Sequence, residues 1–360
     1  FTSIESTFKI DPLRTYLTRA SHESILMCNL SEAVGFISIH STVLGPALGG
    51  CRIKFYENSY EGLKDVIRLS EAMTYKAALA GLDLGGGKSV IILPKNGQKN
   101  EFILRQFGRF VNLLNGKYIT AEDVGTSVND MEIIRRETKW VVGLPEYLGG
   151  GGDPSPVTAY GVYVGIKAAC KYVYGSESLS GRRILVQGIG KVGINLIPHL
   201  HKENAIIYIS DIDENRMEKC AKEFGCTIVP PDDIFKIEVD IFSPAALGGV
   251  ITSENIKKLK FRIIAGAANN QLEEDEKCSK KLMERGIYYV PDFLINAGGL
   301  INCYCELDGY NRQRALALTE KIYDRVMEVL KRSDETKKST YTIALEMALN
   351  RIQAKKRMIC

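Results

Sequence analysis

The 360 residues are 45% hydrophobic and 25% charged, enough for two ordinary globular domains and too mixed for a fibrous or disordered chain. A net charge of +4, diffuse apart from Lys355-Lys356-Arg357, argues against a nucleic-acid or membrane partner, and no apolar run approaches the ~20 residues of a membrane span. Nine cysteines without framework spacing and only four histidines predict free thiols in a reducing compartment, cytoplasmic by default, with no metal site; the opening stretch Phe1 to Leu13 shows no signal-peptide pattern.

In chain order, residues 33–40 and 51–56 read as strands separated by a Gly/Pro-rich turn from Thr42 to Gly50. Residues 60–80 read as a helix, with Leu63, Val66, Ile67 and Ser70 at i, i+3, i+4 and i+7 on one stripe. Lys76 falls late in that helix. Gly85-Gly86-Gly87 then reads as a turn, followed directly by Lys88 and a short buried strand over 89–93. Lysines beside Ala77, Ala78, Leu79, Ala80 and Leu84 are in an unusual setting for a strongly hydrated ammonium. Desolvation lowers a lysine pKa, and such a lysine acts as a base or nucleophile near neutral pH. The alternative is two surface lysines flanking a flexible loop.

A second helix spans about 101–115, with Ile103, Phe107, Phe110, Val111 and Leu114 on one face. A strand at 117–120 runs into Glu122-Asp123, where Asp123 is either a proton carrier or a loop cap. Ser127, with Asp130 three residues on, predicts the start of a helix over 131–137. Gly149 to Pro156 (GGGGDPSP) reads as a hinge or linker, with Pro154 and Pro156 stopping helix propagation.

Beyond it, a helix at 157–173 leads into alternating strands (183–187, 205–210, 239–242, 261–265, 287–290) and helices (191–202, 213–224, 272–285). This rhythm predicts a parallel, doubly wound sheet. Long helices at 312–331 and 342–353 close the chain. Gly188-Ile189-Gly190-Lys191-Val192-Gly193 is a GxGxxG run that follows an apolar strand and opens a helix. In that context the glycines serve the tight turn, backbone approach to a pyrophosphate, and helix–strand packing. Asp211 ends the next strand, 23 residues after the first glycine, close to the ~20 expected of the acid that binds the ribose 2′-hydroxyl. A carboxylate there favours NAD over NADP; Asp213 is the alternative carrier of that role.

From about Ser41 to Arg351 the chain resembles the glutamate/leucine/phenylalanine/valine dehydrogenase family, nearest to its leucine-type members. The matching stretches are LGPALGG (44–50), MTYKAALAGLDLGGGKS (73–89), ITAEDVGTS (119–127), PSPVTAYGV (154–162), VQGIGKVG (186–193), AGAANNQL (265–272) and DFLINAGGLIN (292–302). The resemblance implies a two-domain α/β fold. Residues 1–140 form a substrate and assembly domain on which a C-terminal helix, 336–360, packs back, and 141–335 form a Rossmann-type NAD domain. A cleft between the domains would close on substrate, with Gly149–Gly152 as one hinge strand. By the same resemblance Lys76, with the Gly49–Gly50 backbone, binds the substrate carboxylate; Lys88 is the catalytic lysine; and Asp123 shuttles protons at the amino nitrogen. Thr158 and Asn269 lie near the nicotinamide, and Asn296 near substrate and cofactor. The implied reaction is reversible oxidative deamination of an L-amino acid with NAD and water, giving a 2-oxo acid, ammonium and NADH. No metal is required, and self-association is expected.

The resemblance also bears on substrate. Leu48 stands where the glutamate enzymes carry a lysine for the distal carboxylate, and leaving that carboxylate unpaired costs several kcal/mol in order of magnitude. Ala121, Leu300 and Cys303 complete an apolar wall that suits a branched aliphatic side chain. Leu300, Tyr304 and Cys305 depart from the leucine-type GGVINVADE, and Asp153 replaces an uncharged residue. The GGLIN run is shared with tryptophan-type relatives, so an aromatic substrate is the alternative. A catalytically silent NAD sensor would be signalled by loss of Lys76, Lys88 or Asp123, and all three are present.

Overall fold

The computed structural model describes residues 21–359; the opening stretch discussed above and Cys360 lie outside it. The chain forms two units. The first ends at Asp153 and takes in Glu306–Tyr310 and the residues from Arg351 on; the second is Pro154–Cys305 with Asn311–Asn350.

The first unit runs β1 (Ser24–Leu30), β2 (Ala33–Ser41), β3 (Ala47–Phe55), α1 (Ser59–Leu79), β4 (Gly85–Leu93), α2 (Glu101–Leu113), β5 (Tyr118–Glu122) and α3 (Val128–Arg135). Its sheet order is β1-β2-β4-β3-β5, antiparallel through β4 and parallel across β4, β3 and β5. Both faces are covered. Ile103, Leu104, Phe107 and Val111 of α2, with Met131 and Ile134 of α3, pack on Ile37, Ala47, Cys51, Ile53, Ile91 and Tyr118. Leu63, Val66 and Ile67 of α1 pack on Phe36 and Val90 on the other side. Asn58 and Asn100 cap α1 and α2, and Ser127 with Asp130 forms a capping box at α3.

Two features of this unit depart from the sequence reading. β1, SILMCNL, has neither strict alternation nor β-branched enrichment; its pairing with β2 across the Ser31-Glu32 turn makes it a strand. Gly85-Gly86-Gly87 is not a turn but the start of β4, with Gly86 opposite Leu48 of β3 and Ser41 of β2. The glycines answer a packing demand: a Cβ on Gly86 would lie 2.1 Å from the Thr74 backbone nitrogen.

The second unit contains α4 (Ser155–Tyr174), β6 (Arg183–Gln187), α5 (Lys191–Lys202), β7 (Ile206–Ser210), α6 (Glu214–Phe224), β8 (Thr227–Ile228), β9 (Ile241–Pro244), β10 (Ile263–Ile264), α7 (Asp275–Glu284) and β11 (Tyr288–Tyr289). It continues with α8 (Asp292–Ile295), α9 (Gly298–Glu306), α10 (Arg312–Glu320), α11 (Ile322–Thr336) and α12 (Thr340–Ile359), of which Glu306 and the part of α12 from Arg351 on belong to the first unit. Its six strands are parallel in the order β11-β10-β9-β6-β7-β8, the doubly wound arrangement that reverses beside β6. Pro156 does not stop a helix. It sits in the first turn of α4, where its missing N–H costs nothing. The helix expected over 312–331 is broken at Lys321, where the backbone tightens (ψ −12°) just after Thr319 turns its hydroxyl back on Ala315 O at 2.7 Å.

The four glycines at 149–152 are tied. Gly149 closes a short 3-10 turn (Glu146–Leu148) with positive φ, and the Gly150 and Gly152 N–H groups donate to Pro145 O and Leu144 O at 3.1 and 3.0 Å. The Glu306 carboxylate accepts from the N–H groups of Gly143, Leu144 and Gly151 at 2.9, 3.3 and 3.0 Å.

Candidate active site

Strand alternation assembles the first group of residues. Ala47, Cys51 and Ile53 of β3 face the α2/α3 core, so Leu48, Gly50 and Arg52 face α1. The same parity puts Lys88 of β4, Ala121 of β5 and Asp123, just beyond β5, on the α1 side. Lys88 Nζ lies 3.1 Å from Asp123 Oδ2, with the lysine side chain only 7% exposed. Arg52 Nε reaches the same oxygen at 2.9 Å. Lys88 is thus ion-paired rather than surrounded only by apolar groups. Burial opposes the Asp123 charge, yet Lys88 and Arg52 outweigh it and hold the carboxyl below its ordinary pKa.

The backbone around this pair is fixed. The Tyr118 hydroxyl donates to Gly49 O at 2.6 Å. A Cβ on Gly50 would lie 2.4 Å from Glu122 O and 2.8 Å from Asp123 Cβ, so the β3 backbone runs directly against the segment that carries Asp123. The Asp123 N–H donates to Thr126 Oγ1 at 2.8 Å, and the Ile53 N–H to Val124 O at 2.9 Å. Lys76 occupies the last turn of α1, half-buried, two residues beyond the Thr74 backbone that presses on Gly86. Sequence reasoning missed Arg52 and its further partner Asp65 on α1, 2.9 Å from Arg52 NH1. The available signal was parity: Arg52 stands two residues beyond Gly50.

In the second unit the glycine run lies at the carboxyl end of β6. Gly188 has φ 98°, and a Cβ there would lie 2.7 Å from Ala246 Cβ; a Cβ on Gly193 would lie 2.0 Å from Gly188 O. Gly190, the N-cap before α5, makes no side-chain capping bond, and a Cβ there would meet no protein atom within 4 Å. The first and third glycines therefore serve the fold, while the second opens on space at a helix N-terminus. Ile189, Lys191 and Val192 complete that turn. These features fit a pyrophosphate.

Asp211 reaches across from the end of β7 and accepts from the Ile189 N–H at 2.6 Å and the Asp213 N–H at 3.0 Å. Burial opposes its charge, but these N–H groups and Arg216 hold its pKa below the ordinary value. Asp213 instead caps α6, accepting from the Arg216 N–H at 3.0 Å. Asp211 is the carboxylate beside the glycine turn. Asn296 is buried and donates to Ala267 O at 3.0 Å and Asn269 Oδ1 at 2.7 Å; its own Oδ1 has no partner among the described residues. Thr158 of α4 lies against the start of α9, where a Cβ on Gly299 would be 2.9 Å from its Oγ1. Leu300 and Cys303 are buried on α9. Among the described residues no cluster of three or more His, Cys, Asp or Glu side chains is placed to hold a metal ion, and no helix is long and apolar enough to cross a membrane.

The chain is similar to known proteins along most of its length. The family model "Glu/Leu/Phe/Val dehydrogenase, dimerisation domain" matches residues 25–140, and "Glutamate/Leucine/Phenylalanine/Valine dehydrogenase" matches 149–214 and 208–358. Leucine dehydrogenase of Thermoactinomyces intermedius is 48% identical over 340 residues, covering 94% of this chain and 93% of that protein. L-Tryptophan dehydrogenase of Nostoc punctiforme is 45% identical over 339 residues, covering 93% of this chain and 95% of that protein. The crystal structure of the latter enzyme superposes with a TM-score of 0.84 over 96% of this chain and 99% of that one, at 43% identity.

Proposed function

The chain belongs to the Glu/Leu/Phe/Val dehydrogenase family, an NAD-dependent amino acid dehydrogenase, and we propose that its substrate is a branched-chain L-amino acid: leucine first, with valine and isoleucine also turned over. The observation that carries this reading is the ion pair of buried Lys88 with half-buried Asp123, on the same sheet face as the uncharged Leu48 and Ala121. In the reaction the amino acid, NAD and water give a 2-oxo acid, ammonium, NADH and a proton.

Lys76, with the Gly49–Gly50 backbone, anchors the substrate carboxylate. Asp123, held as a carboxylate, accepts a proton from the substrate ammonium and returns one to the departing amine. Lys88 activates water for attack on the imino carbon and stabilises the charge that develops on oxygen. Bound NAD supplies the hydride acceptor. The open N-terminus of α5 at Gly188–Gly193 holds its pyrophosphate, Asp211 accepts from the ribose hydroxyls, and Thr158, Asn269 and Asn296 orient the nicotinamide end. Asp211 also repels a 2′-phosphate, so NADP is disfavoured.

By the family resemblance Leu48, Ala121, Leu300 and Cys303 would meet the substrate side chain; all four are uncharged, which disfavours glutamate. An aromatic substrate is the second reading, supported by the 45% identity to an L-tryptophan dehydrogenase and by Leu300. Discriminating one methylene is worth only ~1–3 kcal/mol, so several aliphatic side chains are accepted. The match to a dimerisation domain supports self-association, and the eight free thiols among the described residues support a reducing, cytoplasmic setting.

The test is a panel of leucine, valine, isoleucine, phenylalanine, tryptophan and glutamate, each with NAD and with NADP, read as reduced-cofactor absorbance at alkaline pH. Leucine with NAD gives the highest kcat/KM; a maximum at tryptophan or phenylalanine selects the second reading. Lys88→Ala abolishes turnover while NAD binding, measured by calorimetry, stays near wild type. A variant that keeps the wild-type rate removes Lys88 from the mechanism.

A further inference from the structure

We propose that Arg52 is a positioning residue for Asp123: a fixed positive charge that keeps Asp123 ionised when Lys88 gives up its proton. The inference rests on the roles assigned above to Lys88 and Asp123. Arg52 binds Asp123 Oδ2 through Nε at 2.9 Å and Asp65 Oδ2 through NH1 at 2.9 Å. Asp65 is held in turn by the Tyr56 hydroxyl at 2.7 Å and by Arg68 at 3.3 Å. The result is a chain of alternating charge, Asp65–Arg52–Asp123–Lys88, that runs from α1 through β3 and the end of β5 to β4. Its members are largely withdrawn from water: side-chain exposures are 13% and 18% for Asp65 and Arg52, and 21% and 7% for Asp123 and Lys88.

Two consequences follow from the geometry. Both cations contact Oδ2, so the pair fixes the orientation of the carboxylate. The second concerns protons. Lys88 is an acid–base group, and its attraction for Asp123 disappears whenever it is neutral. Burial then acts to raise the Asp123 carboxyl pKa with less to oppose it. A guanidinium does not deprotonate in this range, so Arg52 alone supplies a constant opposing charge. Asp65 balances the buried guanidinium and fixes its orientation. Among the described residues, Cys51 on β3 and Tyr118 on β5 also interact electrostatically with Asp123. Burial pushes the thiol up to about 12 and the phenol higher still, so both remain neutral.

The test is the pH dependence of kcat/KM for oxidative deamination in wild type, Arg52→Gln, Arg52→Lys and Asp65→Asn, using the best substrate of the panel. Loss of an adjacent opposite charge raises a carboxyl pKa by about 1–3 units, so the acidic limb of Arg52→Gln moves up by about that much. Its rate below the limb falls at least tenfold, while KM for NAD is unchanged. Arg52→Lys retains the charge and recovers most of the limb position. Asp65→Asn loosens the guanidinium and moves the limb the same way by a smaller amount. A merely structural arginine would lower the rate at every pH without moving the limb. Wild-type limbs in active Arg52→Gln and Asp65→Asn overturn the proposal, and if Arg52→Gln does not fold, Arg52→Lys and Asp65→Asn decide it. Carbon-13 titration of the Asp123 carboxyl in wild type, Arg52→Gln and Asp65→Asn, assigned with Asp123→Asn, reads the same pKa without turnover. An enzyme inactive on every amino acid therefore defeats the reading of function and leaves this inference separately measurable.

Discussion

At the scale of single residues, the glycines before Lys88 show how a sequence can point to the right place for the wrong reason. Three consecutive glycines have high turn and low strand propensity, and nothing local contradicts that reading. The structure makes them strand because other atoms occupy the space where side chains would be. A Cβ on Gly85 would lie 2.0 Å from Ser41 O, and one on Gly86 2.1 Å from both Thr74 N and Thr74 Oγ1. Ser41 O and Thr74 N are backbone atoms of β2 and α1, which have no rotamer to change. We expect Gly86→Ala to destabilise the chain by about 1–3 kcal/mol, as overpacking does, and to lower kcat because α1, which carries Lys76, must shift against β4. Urea unfolding and steady-state kinetics on the variant check both effects; unchanged stability would mean that α1 is not pressed against Gly86. By contrast, the GxGxxG turn was legible because its flanking strand and helix lie beside it in sequence. Asp211 and Asp213 could not be separated, since the Asp213 side chain is committed by a hydrogen bond at the start of α6 that spacing does not reveal.

At the scale of elements, helices with a clear apolar stripe and a polar cap were legible to within a few residues, as α2 and α3 illustrate. Short strands such as β8, β10 and β11 contain two residues each and carry almost no pattern of their own. The role of Arg52 was hidden for a related reason. Its partners Asp65 and Asp123 are 13 and 71 residues away, and only strand parity brings them to one face. A second polar seam joins β2 to α1. His40 Nδ1 meets Thr74 Oγ1 at 2.8 Å, His22 Nε2 meets Ile67 O at 3.0 Å and Ser70 Oγ at 3.1 Å, and the two imidazoles lie 4.6 Å apart. Burial lowers the pKa of both histidines from 6.5, with His22 adding to the effect at His40. The folded state then binds fewer protons than the unfolded state just below pH 6.5. Their contribution is complete above that pH and is lost as the pH falls towards the folded-state values, at up to about 1.4 kcal/mol per pH unit for each histidine. Urea midpoints at pH 7.5 and about 5.5 should show this loss in wild type, and His40→Gln should lose less on acidification. Equal acid sensitivity of the two proteins would acquit His40.

At the scale of the whole molecule, the α/β class and the parallel second sheet were readable because strands and helices alternate there with little interruption. The substrate preference is the least legible property, since it depends on a few apolar contacts while the motifs report the chemistry common to the family. The segment GGGGDPSP holds the boundary between the two units, after Asp153, but its hydrogen bonds were not legible: composition describes what a chain is free to do when nothing holds it. Here Glu306, far along the sequence, accepts three N–H groups from the stretch 143–151, and Gly149, Gly150 and Gly152 donate to local carbonyls. A protease must draw roughly ten residues into an extended conformation to cut, which requires local opening. The glycine run is therefore a concealed cleavage site. Wild type should resist nicking near residue 150 by a broad-specificity protease under native conditions. Glu306→Ala should be cut there, giving fragments of about 150 and 210 residues on a denaturing gel, so that a single distant carboxylate decides whether the chain survives as one piece.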